Sequence, residues 1–145
     1  MTVISESQNS YEILRSGTGG TVKNKDLVTF HLNGVVKETG RRFLYSRDPW
    51  GNPLKDVAGV RKGGRTGLSR DLLGMRVGEE RKITMPVNEY KVSSKLFEHN
   101  FSKFGIPNNS TLEFTLEILD VDLRYIRYIK YDRRILISIH MYNNT

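Results

Sequence analysis

Two runs of the chain alternate polar and apolar residues at the period of a strand. In LVTFHLNGVV, residues 27–36, Val28, Phe30 and Leu32 fall on one side, with Leu27, Thr29 and His31 on the other. In residues 111–121, Leu112, Phe114, Leu116 and Ile118 alternate with Thr111, Glu113, Thr115 and Glu117, which predicts a second strand with one face in the core and one in water. Residues 67–86, GLSRDLLGMRVGEERKITMP, switch period partway. Leu68, Leu72 and Met75 recur at i, i+4 and i+7, the spacing that aligns apolar side chains on one helix face. A glycine turn follows at residues 77–80, and residues 81–85 return to alternation, so a helix, a turn and a strand are expected in succession.

Shorter signals fill the intervals. Residues 11–15 read as a short edge strand before a turn-rich stretch at 16–21. The turn Lys37-Glu38-Thr39-Gly40 and a strand over residues 41–46 make a hairpin that sets Phe43 across from the apolar face of the strand before it. Two prolines and a glycine mark residues 48–53 as a loop, and its Trp50 either caps a core edge or offers a flat platform to a ligand. Residues 87–105 read as a long connection holding Tyr90, Leu96, Phe97, Phe101 and Phe104. Several strands around one short helix give an α+β arrangement built on an antiparallel sheet.

Composition narrows the function classes. A chain of 145 residues, 37% of them hydrophobic, is one domain's worth and can enclose a core unaided. With no cysteine it has no disulfide, no thiolate metal site and no thiol nucleophile, which suits a reducing compartment and favours the cytoplasm. Residues 1–10 are polar, carry no secretory pattern and read as a flexible start, and no segment is long and apolar enough to span a bilayer. The glycines at 16–21 lack the following lysine and helix of a phosphate loop, and those at 63–67 lack the full nucleotide fingerprint. His31, His99 and His140 stand far apart without carboxylates at ligand spacing, and no nucleophile elbow appears, which sets aside metal and hydrolase chemistry.

The net charge of +7 draws on the last stretch of the chain. Residues 122–145 carry Arg124, Arg127, Lys130, Arg133 and Arg134 interleaved with Tyr125, Ile126, Tyr128, Ile129 and Tyr131. A basic amphipathic helix there suits a partner protein or an anionic surface ahead of nucleic acid, and residues 135–139 also fit a strand.

Four motifs in order carry a family likeness: Val28-Thr-Phe-His-Leu-Asn-Gly34, Gly40-Arg-Arg-Phe43, Leu73-Gly-Met-Arg-Val-Gly-Glu79 and Ile106-Pro-Asn-Asn-Ser-Thr-Leu-Glu-Phe114. Together they resemble the FK506-binding family of peptidyl-prolyl isomerases over residues 11–121, with 1–10 and 122–145 as flanking segments. The resemblance implies a half-barrel antiparallel sheet of five to six strands wrapped around one short helix, with an apolar prolyl pocket between them. It implies proline-containing peptide or protein segments as substrates, and no metal or cofactor, since no covalent bond changes. Phe43, Ile106 and Phe114 match the family's pocket phenylalanine, the isoleucine before its proline and the inward aromatic of the last strand. Leu32 stands in place of a pocket tyrosine, Leu44 of an aspartate, Leu54 near a phenylalanine and Leu68 of the tryptophan at the pocket floor, while Tyr90 is a candidate for the loop tyrosine. The substrate-binding set is therefore Phe43, Ile106, Phe114, Leu32, Leu68, Leu54 and Tyr90. These changes predict an isomerase of weakened activity or, in its place, a non-catalytic binding or co-chaperone module.

Overall fold

A computed structural model describes residues 2–4, 9–47, 51–59, 66–93 and 105–122. Its elements are β1 (Thr2–Ile4), β2 (Ser10–Arg15), β3 (Leu27–Val36), β4 (Arg42–Tyr45), β5 (Leu54–Val57), β6 (Glu80–Pro86), α1 (Val87–Ser93) and β7 (Thr111–Asp122). All strands join one seven-stranded sheet in the order β1-β2-β6-β7-β3-β4, with β5 also paired to β3, and every pairing is antiparallel. The antiparallel α+β architecture expected from the pattern is therefore present. It gains a strand at the start of the chain, where Thr2–Ile4 pairs with Ser10, Tyr11 and Glu12.

β3 and β7 form the spine, in a register that puts Leu32 opposite Leu116 and Gly34 opposite Phe114. With a side-chain period of two, that register sends Val28, Phe30, Leu32, Val36, Leu112, Phe114, Leu116 and Ile118 to one face, each at most 2% exposed. Burying each such side chain contributes about 1.5–3 kcal/mol, so this face dominates the stability. The other face is polar. There Glu117 meets Arg15 at 2.9 Å and Arg47 at 2.8 Å, and Lys82 lies 3.5 Å from Glu12 and 3.4 Å from Glu113. Such part-exposed pairs add only about 0–1 kcal/mol each.

Residues 67–86 keep their predicted faces but not their predicted helix. Leu68, Leu72 and Met75 are all fully buried. Their backbone, however, runs as successive turns: Asp71, Leu73 and Met75 donate to carbonyls three residues back, and Leu72 alone donates to one four back, at 3.2 Å from Leu68. Gly67 and Gly74 bracket the segment at φ of 79° and 81°, left-handed conformations that stop a helical run at either end. The one described α-helix is α1, in the stretch that read as a long connection. Val87 and Tyr90, three residues apart, are its buried side, and the Val87 amide donates to the Ser110 carbonyl at 3.1 Å. A seven-residue helix with two apolar anchors leaves too short a period to detect in sequence. Trp50, residues 63–65, Phe97, Phe101, Phe104 and the basic segment 123–145 lie outside the described residues.

Candidate functional site

Gly34 is where the inner face becomes a site. The β3–β4 register shifts there, with Gly34 opposite Leu44 and Val35 opposite Arg42, so that Phe43 is the extra residue of a bulge. A bulge re-aims side chains, and here it turns Phe43 inward over the glycine. A Cβ on Gly34 would lie 2.9 Å from Phe43 Cζ, 3.1 Å from Leu44 Cβ and 3.1 Å from Phe114 Cε1, so only glycine admits this approach.

Three rings close together as a result. Phe43 meets Phe114 edge-on at 5.7 Å between centroids and Tyr90 edge-on at 6.4 Å, and Tyr90 lies tilted against Phe114 at 4.8 Å. Each sits within the range in which aromatic pairs add about 0.5–1.5 kcal/mol beyond burial. Leu32 and Leu68 belong to the same apolar cluster and are buried, while Leu44 and Leu54 pack against it half-buried. Ile106 comes from the loop before β7. That loop is fastened to the hairpin and to α1: the Thr111 amide donates to Glu38 Oε1 at 2.8 Å, the Lys37 amide to the Thr111 carbonyl at 2.8 Å, and the Val87 amide to the Ser110 carbonyl at 3.1 Å. The Thr111 amide also holds the Glu38 carboxyl below the usual carboxylate range.

All seven candidate residues thus fall in one apolar cluster or against it. Phe43 and Ile106 are 9% and 8% exposed and Leu54 is half-buried, whereas Leu32, Leu68, Tyr90 and Phe114 are at 1% or less, so the set reaches solvent at Phe43, Ile106 and Leu54. The walls offer shape and dryness and place no ionised side chain among the seven. Sequence reasoning missed Gly34 and a buried carboxylate, Asp56, hydrogen-bonded to Thr66 and Ser69 on either side of Leu68. Gly34 stood in the motif that carried the family likeness, and its alternation with Leu32 and Val36 was the signal that it lies inside. Asp56 breaks the apolar alternation of a short strand and carried no signal.

Fold and site define a class of small antiparallel-sheet domains that present an aromatic-lined apolar corner. A family model described as FKBP-type peptidyl-prolyl cis-trans isomerase matches residues 19–119. FK506-binding protein 1 of Debaryomyces hansenii is 36% identical over 115 residues, covering 77% of this chain and 92% of that one. Peptidyl-prolyl cis-trans isomerase FKBP12 of Vicia faba is 32% identical over 114 residues, covering 74% and 93%. Among solved structures, the N-terminal domain of FKBP42 from Arabidopsis thaliana shares the fold, with a TM-score of 0.66 and 21% identity over 84% of this chain and 92% of that one. The chain belongs to the FKBP-type peptidyl-prolyl cis-trans isomerase family.

Proposed function

We propose that the chain catalyses cis–trans isomerisation of X-Pro bonds in proline-containing protein segments, with weakened activity, at the corner formed by Phe43, Ile106, Phe114, Leu32, Leu68, Leu54 and Tyr90. The observation that carries this is an apolar cluster, buried at Leu32, Leu68, Tyr90 and Phe114, that reaches the surface at Phe43, Ile106 and Leu54. A proline ring is small and apolar, and such a corner can take it without an ionised partner.

The reaction needs no cofactor. It rotates a bond whose barrier is ~18–20 kcal/mol and whose planar form is held by charge-separated resonance. An apolar surround disfavours that charge-separated form relative to the twisted one, which lowers the barrier by differential binding. Hydrogen bonds placed for the twisted amide would lower it further. Leu32 and Leu44 occupy positions where the family resemblance places a tyrosine and an aspartate, and neither leucine side chain can donate or accept. At ~1–1.5 kcal/mol for each hydrogen bond absent from the transition state, each such loss costs about tenfold in rate.

The test is an isomerisation assay on a short X-Pro peptide. The folded chain accelerates the reaction, and Phe43→Ala, measured under conditions where it remains folded, removes most of the acceleration. A rate from the folded wild-type chain equal to the uncatalysed one would sink the enzyme assignment. The same leucines favour a second reading, a module that binds X-Pro segments without turning them over, and NMR titration showing saturable binding with no catalysis would select it. In either case the setting we infer is protein folding in the cytoplasm, which a chain without cysteine suits.

A further inference from the structure

β5 brings a carboxylate into the protein where its strand neighbours would call for an apolar residue. Asp56 pairs in register with the fully buried Val28 and is itself 5% exposed. One oxygen, Oδ2, accepts three hydrogen bonds: from the Thr66 amide at 2.9 Å, the Thr66 hydroxyl at 2.6 Å and the Ser69 hydroxyl at 2.7 Å. The other, Oδ1, accepts from the Val57 amide at 2.8 Å. Hydrogen bonds to an ionised acceptor are the short, strong ones, and these two hydroxyls approach at the distances expected of them.

The consequence falls on Leu68. The Thr66 hydroxyl gives its proton to Asp56 and so turns a lone pair toward the Leu68 amide, which donates to it at 3.3 Å. The residue after Leu68 is Ser69, held by the same carboxylate oxygen, with its carbonyl accepting from the Gly59 amide at 2.8 Å. Leu68 is therefore fixed from both sides through a single oxygen. The segment that carries it has no α-helical ladder of its own, so its position against the sheet depends on such ties.

We propose that Asp56 is a positioning residue for the proline site, setting the depth and orientation of Leu68 at its floor through Thr66 and Ser69. This rests on the proline-site assignment above. The carboxylate touches no substrate; it acts by holding Leu68 in the buried cluster that Phe43 and Ile106 bring to the surface.

The experiment uses the full chain with labelled leucine and isoleucine methyls, in wild type, Asp56→Asn, Thr66→Val and Thr66→Ser, with Glu79→Gln as a destabilised control remote from the clamp. Asp56→Asn sets an amide N–H against donors, and Thr66→Val removes only the hydroxyl if the first variant does not fold. The expected result is a displaced Leu68 methyl signal, unchanged Leu112 and Ile118 signals, and X-Pro peptide affinity weakened about three- to tenfold. Thr66→Ser, which keeps the hydroxyl, restores both readouts, and Glu79→Gln moves neither. Unchanged Leu68 methyls in folded Asp56→Asn or Thr66→Val would overturn the proposal, as would an equal loss of affinity in Glu79→Gln. A wild-type chain that binds no X-Pro peptide would instead overturn the proline-site assignment, and Asp56's part in it, while the methyl signals still report whether the clamp holds Leu68.

Discussion

At the scale of single residues, Gly34 controls how closely Phe43 can approach β3. A methyl group there meets Phe43, Leu44 and Phe114 at 2.9–3.1 Å. Gly34→Ala is expected to destabilise the fold by about 1–3 kcal/mol, the usual cost of overpacking, and to push Phe43 outward. Urea denaturation gives the first, and a lowered isomerisation rate while folded gives the second. Phe114 was legible because alternation placed it inside, and Phe43 because the hairpin set it across from the apolar face of the strand before it. Gly34's role was not, since it depends on a ring arriving from the next strand.

Among the elements, the turn between the 66–75 segment and β6 holds a buried ion pair. Arg81 Nε donates to Glu79 Oε2 at 2.6 Å, with the two side chains 6% and 5% exposed. The Arg81 guanidinium also lies over the Tyr11 ring at 4.0 Å, joining β6 to β2, and Glu79 Oε1 accepts from the Arg76 amide at 3.2 Å. Glu79→Leu leaves the arginine charge buried without its carboxylate and is expected to cost about 3–5 kcal/mol. Adding Arg81→Met to Glu79→Leu should recover most of that loss, and a double-mutant cycle from chemical denaturation measures it. Strands of ten and twelve residues declared themselves by period alone. The turn segment and α1 did not, because positive-φ glycines truncated one and brevity hid the other.

For the molecule as a whole, stability should fall toward acid. Burial first, and Arg47 second, push the His31 imidazole below its ordinary value, against an opposing pull from Glu117. The hydrogen bond from Arg15 holds the Glu117 carboxyl below the usual range. Both groups bind protons less readily folded than unfolded. Their contributions are therefore present above the unfolded values, about 6.5 and 4.3, and are lost as pH falls through the folded ones. Glu89 has the opposite sign: burial, then Asp71, raise it, so its contribution is present in acid and lost as pH rises through the raised value. Urea midpoints should drop between pH 7.5 and 5.5, less so in His31→Gln, while Glu89→Gln should raise the midpoint at neutral pH. A midpoint that rises between pH 7.5 and 5.5 would contradict the sign given for His31.

The sequence by itself determined which residues face inward. Periods of two and 3.6 are local properties, and burial of the alternate positions of β3, β6 and β7, and of Leu68, Leu72 and Met75, follows from them whatever the neighbours turn out to be. Tertiary structure decided what those residues make together. The bulge that turns Phe43 over Gly34, the meeting of Phe43, Tyr90 and Phe114, and the ties from Asp56 to Thr66 and Ser69 all join residues nine or more positions apart. Contacts of that kind are set by register and chain path, and no local pattern encodes them.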